Sequence, residues 1–296
     1  MELRVLRYFL MVAREENITR AAQLLHVTQP TLSRQLMQLE EELDVKLFQR
    51  SSHCIVLTEE GMLLKRRAQE IISLAEKTRQ DLAQKDIQLS GELSIGCGEL
   101  QSVEFLSMLL ARFQAANPLV RFHIYSGNAD SIKERIENGL LDMGLLPEPV
   151  DITKYAFLHA PQKETWGVLV HKDSALAQKQ AVCPSDLLDS PLMISNRDLV
   201  QDFISNWFGV DLDDLQIICR YNLLYNAAIM VRSKIGVAVC IKLDCSYADT
   251  RFVPFSPPVE SGSVLVWKKD QMTSPTTAAF LAFSKKCITG ISENTI

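Results

Sequence analysis

Apolar residues at helical spacing predict two amphipathic helices at the start of the chain. The apolar stripe of the first helix comprises Leu3, Leu6, Leu10 and Ala13. Asn17 or Thr19 is expected to cap a second, short helix. The inward positions of this second helix are Ala21, Ala22 and Leu25. Because alanine side chains are small, they allow a crossing helix to approach closely.

A third helix is predicted to begin at Thr28, whose hydroxyl is a suitable N-cap, with Pro30 tolerated in the first turn. Its apolar stripe comprises Leu32, Leu36 and Leu39. The opposite face carries polar side chains of the types that read bases and hold phosphates: Gln29, Thr31, Ser33, Arg34 and Gln38. Periodicity alone does not separate a DNA-reading helix from an ordinary three-helix bundle with a solvated polar face.

Two short strands are predicted after the third helix, over residues 46–50 and 54–57, around a polar turn at 51–53. This hairpin would present Arg50 beside the third helix. A helix-turn-helix followed by a hairpin has the organisation of a winged DNA-binding domain. The hairpin therefore favours DNA binding over a bundle without that function.

The run ITRAAQLLHVTQPTLSRQLMQLEEELDVKLFQR from Ile18 to Arg50, followed by LTEEG at 57–61, resembles the winged helix-turn-helix of LysR-type transcriptional regulators. The resemblance implies that the helix from Thr28 lies in the major groove of double-stranded DNA. The residues that it implies to face DNA are Gln29, Pro30, Thr31, Ser33, Arg34 and, from the wing, Arg50. Chemically, Gln29 can bond adenine and Pro30 can touch a thymine methyl, whereas the serine and the two arginines suit phosphates.

A long helix over residues 59–89 is predicted to link this domain to the rest of the chain. Its inward positions alternate steps of four and three, which is typical of a pairing helix. The predicted seam comprises Leu57, Gly61, Leu64, Ala68, Ile71, Ala75, Thr78 and Leu82. Packing of this seam on its own chain is the alternative. Dimerisation would set two recognition helices about 34 Å apart, as an inverted-repeat operator requires.

Strands and helices alternate from residue 90 onward, which predicts two α/β lobes. Segments at 156–170 and 251–267 are expected to cross between the lobes, and a helix over 276–287 to return to the first. This part resembles the periplasmic-binding-protein-like effector domain of the LysR family. The expected fold is thus an α+β multidomain chain: winged helix-turn-helix (1–58), linker helix (59–89) and two-lobed effector domain (90–296).

Ligands of open parallel sheets bind beyond the carboxyl ends of the strands, where helix N-termini offer free N–H groups. The residues that this rule selects are Gly98, Glu99, Ser102, Ser126, Gly127, Asn128, Ser195, Asn196, Arg197, Tyr221 and Asn222. They suit a small polar or anionic metabolite, with Arg197 as the carboxylate partner. Serine and asparagine also serve as ordinary helix caps, which is the competing interpretation of each.

Glu99 does not fit a simple carboxylate effector. The LysR family usually has a small hydroxyl residue in this loop, and a carboxylate would repel an anion. The sequence therefore leaves room for an amine-bearing or zwitterionic effector.

Charge and composition limit the remaining classes. Residues 1–90 hold 13 Lys+Arg and 13 Asp+Glu, so the whole net charge of −5 lies in residues 91–296. Any DNA contact must rest on local geometry, because the first segment is electrically neutral. The chain is 47% hydrophobic without a run long enough for a membrane helix or a signal peptide, so we expect a cytoplasmic protein.

Seven scattered cysteines show neither a disulfide framework nor zinc-ligand spacing, so neither a metal nor a cofactor is expected. Cys240 and Cys245 lie five residues apart, and thiol-based sensors occur in the family, but redox sensing requires an accessible thiolate. An ordinary buried thiol is the favoured interpretation. No catalytic motif is present, so an enzyme is not expected.

These features predict a sequence-specific transcriptional regulator that is controlled by a small effector between two lobes. A solute-binding transport component is the competing class, but it would need an export signal and would not use residues 1–60. The expected partners are operator DNA, the effector and a second copy of the chain. The family resemblance also implies a tetramer, and a regulator of transcription has RNA polymerase as a candidate partner.

Overall fold

The structure is a computed structural model that describes residues 1–50, 55–83, 89–269 and 273–293. The chain divides into two compact units, Met1–Lys85 and Asp86–Ile296. Among the described residues, no helix is both long and apolar enough to cross a membrane.

The first unit is a helical domain with a two-stranded hairpin. Its elements are α1 (Leu3–Glu15), α2 (Ile18–Leu24), α3 (Gln29–Leu43), β1 (Phe48–Arg50), β2 (Ile55–Leu57) and α4 (Glu59–Ala83). The antiparallel pair β1–β2, which we call the wing, joins Phe48 to Leu57 and Arg50 to Ile55. The predicted winged helix-turn-helix is confirmed as a fold.

Side-chain caps define where the helices of this unit begin. The backbone N–H of Thr31 donates to Thr28 Oγ1 at 3.4 Å, and that of Arg20 donates to Asn17 Oδ1 at 3.0 Å. Thr28 thus caps α3 as predicted, and Asn17 rather than Thr19 caps α2. The predicted α3 stripe of Leu32, Leu36 and Leu39 is buried.

The predicted stripe of α1 is partly wrong. Leu3 is 43% exposed and Leu10 is only half-buried. The residues of α1 that are buried are Val5, Leu6, Phe9, Val12 and Ala13. The stripe is displaced because α1 packs against both α3 and α4 and must bury a wider face than one partner helix requires.

The second unit contains two mixed sheets flanked by helices. Its strands are β3 (Ser90–Cys97), β4 (Leu119–Ser126), β5 (Met143–Pro147), β6 (Tyr155–His159), β7 (Glu164–His171), β8 (Leu192–Ser195), β9 (Ile217–Tyr221), β10 (Val237–Ile241), β11 (Thr250–Pro254), β12 (Glu260–Ser261) and β13 (Ser263–Lys268). Its helices are α5 (Val103–Ala116), α6 (Ala129–Glu137), α7 (Asp198–Phe208), α8 (Leu224–Arg232) and α9 (Pro275–Glu293).

Each sheet forms one lobe. The first lobe has the strand order β4-β3-β5-β13-β6, and the second has β11-β7-β10-β8-β9 with β12 added to β7. Strand β3 runs parallel to β4 and β5, and β8 runs parallel to β9 and β10. The carboxyl ends of these parallel strands are therefore available to form a site, as the sequence predicted.

The chain crosses between the lobes twice, from β6 to β7 and from β12 to β13. Both predicted crossing segments are thus pairs of strands that meet at the lobe boundary. Helix α9 returns to the first lobe, where Phe280 and Leu281 pack in one core with Leu93 and Leu109. This return was also predicted.

Candidate DNA-binding surface and effector cleft

The outer face of α3 presents the polar residues that the sequence selected. Gln29, Pro30, Thr31 and Arg34 are exposed, and Ser33 is half-buried. The Gln29 amide donates to Ser33 Oγ at 2.9 Å, which holds the side chain along the helix surface. One amide hydrogen and the amide oxygen of Gln29 remain, and these are the two groups that pair with an adenine edge.

Arg34 is the cation of this face. Some other arginines of the unit have a carboxylate partner: Arg14 and Arg20 both pair with Glu15, at 2.8 and 2.9 Å. Arg34 forms no ion pair within the part of the chain that the structure describes. An exposed guanidinium without a carboxylate partner is available for a phosphate or a guanine edge.

Glu40 of α3 forms hydrogen bonds with the backbone at the start of the wing. The sequence alone did not predict this role. Its carboxylate accepts hydrogen bonds from the backbone N–H groups of Leu47 at 2.8 Å and Phe48 at 3.3 Å. Lys46 Nζ also donates to it at 2.9 Å. Burial raises the pKa of Glu40, but these hydrogen bonds outweigh burial and leave the pKa below its ordinary value. Glu40 is therefore a structural carboxylate within the acidic end of α3.

Arg50, the predicted wing contact, lies at the end of β1 opposite Ile55. Its side chain falls outside the described residues. The position of its backbone beside the wing turn agrees with the sequence prediction, and the DNA contact itself stays a prediction.

Part of the predicted dimer seam on α4 packs on its own chain. Ala68 is fully buried, and Leu57 and Leu64 pack against the same core, which includes Phe9 of α1. An ion pair of 2.9 Å between Arg7 and Glu76 adds to this contact. The assignment of Ala68 to a dimer contact is wrong, because α1 already covers that face of α4 and leaves no room for a second helix.

Other residues of α4 remain exposed. Ile71, a predicted seam residue, is 36% exposed, and Ala75 is half-buried. The side chain of Leu82 is outside the described residues. The exposed large apolar residues of α4 are Met62, Leu63, Ile71 and Leu74. Helical spacing places Leu63, Ile71 and Leu74 on one side of the helix, which we call the exposed apolar face of α4.

A cavity of about 90 Å³ lies between the two lobes of the second unit. Eight predicted effector residues line this interlobe cavity: Gly98, Glu99, Gly127, Asn128, Ser195, Arg197, Tyr221 and Asn222. Apolar residues complete its walls: Leu100, Pro147, Trp166, Val200, Leu224 and Ile241. The loops that follow β3, β4, β8 and β9 thus meet at one site. Its mixed lining is typical of a small-molecule site.

Ser102 does not line the cavity, which corrects its assignment as an effector residue. Its side chain is fully buried, and its hydroxyl donates to Glu164 at 2.6 Å. Ser263 donates to the same carboxylate at 2.7 Å, and the backbone N–H groups of Gln101 and Ser102 donate at 2.9 and 3.1 Å. Glu164 and Ser263 begin β7 and β13, so this network ties α5 to both crossings between the lobes.

Ser126, also predicted to contact the effector, does not line the interlobe cavity either. It ends β4, is exposed, and lies outside the lining of the interlobe cavity. The residues after β4 that line the cavity are Gly127 and Asn128. Asn128 has two roles: Oδ1 accepts from the Ser131 backbone N–H at 2.9 Å, and Nδ2 donates to Asn196 Oδ1 at 3.4 Å across the lobes. Asn128 is thus both a cap of α6 and a cavity residue.

Arg197 crosses the cleft from the second lobe toward the first. Its side chain is 5% exposed, and Nη2 donates to the carbonyl of Pro149 at 2.8 Å. Nε lies 3.7 Å from an oxygen of Asp130 but has no hydrogen-bond partner within the described part of the chain. Burial lowers the pKa of Arg197 and Asp130 partly opposes this, but the guanidinium remains charged.

Tyr221 and Cys240 are part of the cavity wall with no sign of reactivity. The Tyr221 hydroxyl donates to the carbonyl of Val239 at 2.6 Å, and burial raises the pKa of Tyr221 well above its usual range. Burial likewise raises the pKa of the Cys240 thiol, whereas Cys245 is exposed. Both cysteines are free thiols, and the structure favours a buried structural role for Cys240 over redox sensing.

Each of the two units matches the model of a known protein family. The model described as "Bacterial regulatory helix-turn-helix protein, lysR family" matches residues 3–62, and the one described as "LysR substrate binding domain" matches residues 87–287. The transcriptional regulator YvbU of Bacillus subtilis is 27% identical over 249 residues, 83% of either chain. The transcriptional activator IlvY of Salmonella typhimurium is 36% identical over 149 residues, half of either chain.

Solved structures show the same fold. The LysR family regulator CbnR superposes with a TM-score of 0.73 at 21% identity, covering 97% of this chain and 99% of that one. CbnR in complex with its target DNA superposes with a TM-score of 0.71 at 22% identity and the same coverage.

Proposed function

Because the chain belongs to the LysR family of DNA-binding transcriptional regulators with an effector-binding domain, we propose that it binds an inverted-repeat operator under the control of a small effector in the interlobe cavity. The observation that carries the proposal is the exposed face of α3. There the side chain of Gln29 is held along the helix by Ser33, and Arg34 has no carboxylate partner among the described residues.

The proposed roles on DNA follow from the chemistry of each side chain. Gln29 and Pro30 read base edges in the major groove, and Arg34 and Ser33 hold phosphates. Thr31 is exposed in the first turn of α3, beside its cap Thr28, and a helix N-terminus of this kind favours a nearby phosphate. Arg50 contacts the DNA backbone from the wing. The bond between Glu40 and the wing supports this role because it fixes where β1 runs beside α3.

A second copy of the chain completes the operator-binding form. The proposed contact is the exposed apolar face of α4, with Ile71 and Leu74 at its centre, because exposed apolar surface on a helix is stabilised by a partner. Two copies of α3 then read half-sites about 34 Å apart. Assembly of two dimers into a tetramer and contact with RNA polymerase belong to the same proposal.

The effector is proposed to act on the two lobes. It binds the loops of both lobes at once, so it favours one lobe arrangement over others and alters operator affinity through that difference. Linkage then requires that operator binding change effector affinity by the same factor. The protein performs this work in the cytoplasm and without catalysis.

Selection from a random pool of duplex DNA, followed by footprinting, tests the proposal. We expect an enriched inverted repeat that is protected at both half-sites. Arg34→Ala should lose protection, whereas Arg112→Ala, which removes the same charge from an exposed position on α5, should retain it. The absence of any enriched or protected sequence at low ionic strength would refute operator binding.

A further inference from the structure

Glu99 reaches from the first lobe to the second. Its loop follows β3, and its Oε2 accepts the backbone N–H of Leu224, the first residue of α8. The preceding residue, Leu223, makes no side-chain cap. Glu99 therefore supplies the negative charge that the N-terminus of α8 attracts, and it does so from the opposite lobe.

The charge of Glu99 is only partly compensated. A helix N-terminus carries about half an elementary charge. The other carboxylate oxygen, Oε1, has no hydrogen bond among the residues that the structure describes, and Glu99 forms no ion pair there. Because Glu99 lines the interlobe cavity, a ligand ammonium group can supply the missing positive charge.

Arg197 provides an independent sign of a ligand in the same cavity. Its side chain is 5% exposed, and its Nε has no hydrogen-bond partner among the residues that the structure describes. A buried donor without an acceptor is costly unless a bound group satisfies it. Asp130, whose carboxylate lies 3.7 Å from Nε, offsets only part of the guanidinium charge, so a ligand carboxylate beside Arg197 would still be attracted to it.

The size and the walls of the cavity limit the rest of the ligand. A volume of about 90 Å³ is several times the space that one water molecule needs, which suits a molecule with few heavy atoms. Leu100, Val200 and Ile241 are among the apolar residues of the wall. The ligand group that contacts them is therefore a short aliphatic chain rather than a polar one.

We propose that the effector is a small aliphatic amino acid whose ammonium group pairs with Glu99 and whose carboxylate pairs with Arg197. This inference rests on the proposed function of the interlobe cavity as the effector site. It assigns Glu99 as the residue that selects amines over simple carboxylates. Opposite charges on one small ligand then match opposite charges on the two lobes.

Calorimetric titration and thermal shift of the full-length protein test this assignment. The probes are the twenty protein amino acids, with the desamino carboxylate and the decarboxylated amine of each aliphatic one. Glu99→Gln keeps an oxygen that can accept from the Leu224 N–H but removes the charge. Glu92→Gln, which removes a carboxylate from an exposed position on β3, is the matched control.

We expect at least one small aliphatic amino acid to bind saturably and to raise Tm, and its desamino carboxylate to bind at least about tenfold more weakly. Glu99→Gln should weaken binding of the amino acid by a similar factor and should abolish the preference for the amino acid over its desamino carboxylate. Glu92→Gln should bind both probes as wild type does. Three results would overturn the inference: no small aliphatic amino acid binds, its desamino carboxylate binds equally tightly, or the Glu99→Gln and Glu92→Gln variants bind the amino acid with the same affinity. Operator protection by the wild-type protein is measured separately, so a wrong effector class is distinguishable from a wrong regulator assignment.

Discussion

The carboxylate of Glu40 accepts the backbone N–H of Leu47 at 2.8 Å, which joins α3 to the residue that precedes the first strand of the wing. The two residues are seven apart along the chain, and three donors converge on one carboxylate. Glu40 thus contributes, together with the packing of Leu47 and Phe48 in the core, to the position of the wing relative to α3.

Glu40→Ala should destabilise the first unit by about 1.5–3 kcal/mol, because backbone donors lose a charged acceptor. The effect depends on pH. Since the pKa of Glu40 is lowered in the folded state, its contribution is complete above the ordinary value near 4.5 and is lost as pH falls through the folded value. Chemical denaturation at pH 7 and pH 3 should show a large difference from wild type only at pH 7. Glu41→Ala, at an exposed neighbour, should change neither curve, and a Glu40→Ala defect that persists unchanged at pH 3 would contradict this role.

Arg34→Ala should weaken binding to specific and random DNA alike. A guanidinium that holds a phosphate releases about one counterion, so the slope of log K against log salt should become shallower by about 1. Fluorescence anisotropy over a range of salt concentrations measures both effects. An unchanged slope would show that Arg34 makes no phosphate contact.

Ile71→Glu should convert the proposed dimer to a monomer, because it introduces a charge into the exposed apolar face of α4. Ser73→Glu adds the same charge at another exposed position of α4 and should leave the dimer intact. Light scattering coupled to size-exclusion chromatography gives the mass directly. Equal masses for the two variants would place the dimer contact elsewhere.

Ser102→Ala should lower the stability of the second unit by about 1–3 kcal/mol, because the buried carboxylate of Glu164 loses its shortest hydrogen bond. Ser126→Ala, at an exposed position outside the cavity, should have no comparable effect. Differential scanning calorimetry compares the two. If Ser102→Ala left the stability unchanged, the hydrogen-bond network around Glu164 would not contribute to the stability of the second unit.

Cys240 should react far more slowly than Cys245 with iodoacetamide in the native protein. Burial raises the pKa of the Cys240 thiol, so its thiolate is scarce near neutral pH, whereas Cys245 is exposed. Peptide mass spectrometry after timed labelling separates the two sites. If Cys240 were labelled faster than Cys245, a redox role for Cys240 would be favoured instead.

Local sequence patterns were sufficient to predict elements whose causes are local. The Thr28 cap, the leucine stripe of α3 and the strands that end at the interlobe cavity all depend on neighbouring residues or on period. The partner of a side chain was not predictable in the same way. Ser102 looked like a cleft residue, but its partner Glu164 lies 62 positions away and the fold alone brings them together.

The seam on α4 illustrates the same limit. A regular apolar spacing shows that a helix has a partner, but it does not show which one. Ala68 meets α1 of its own unit, whereas Ile71, one turn further, remains exposed. Likewise, the sequence shows that Glu99 places a carboxylate in the effector loop, but its hydrogen bond to the N-terminus of α8 depends on how the two lobes meet.

Base reading by α3 is the central role that we propose for this protein, and the ratio of the affinities for operator and for a scrambled duplex measures it most directly. For wild type we predict a ratio of about 10³ or more. For Gln29→Ala we predict that the free-energy difference between the two duplexes is smaller by about 1–3 kcal/mol, with binding to the scrambled duplex unchanged. If Gln29→Ala preserved the full ratio, or if wild type bound both duplexes equally, the role assigned to this face would be contradicted.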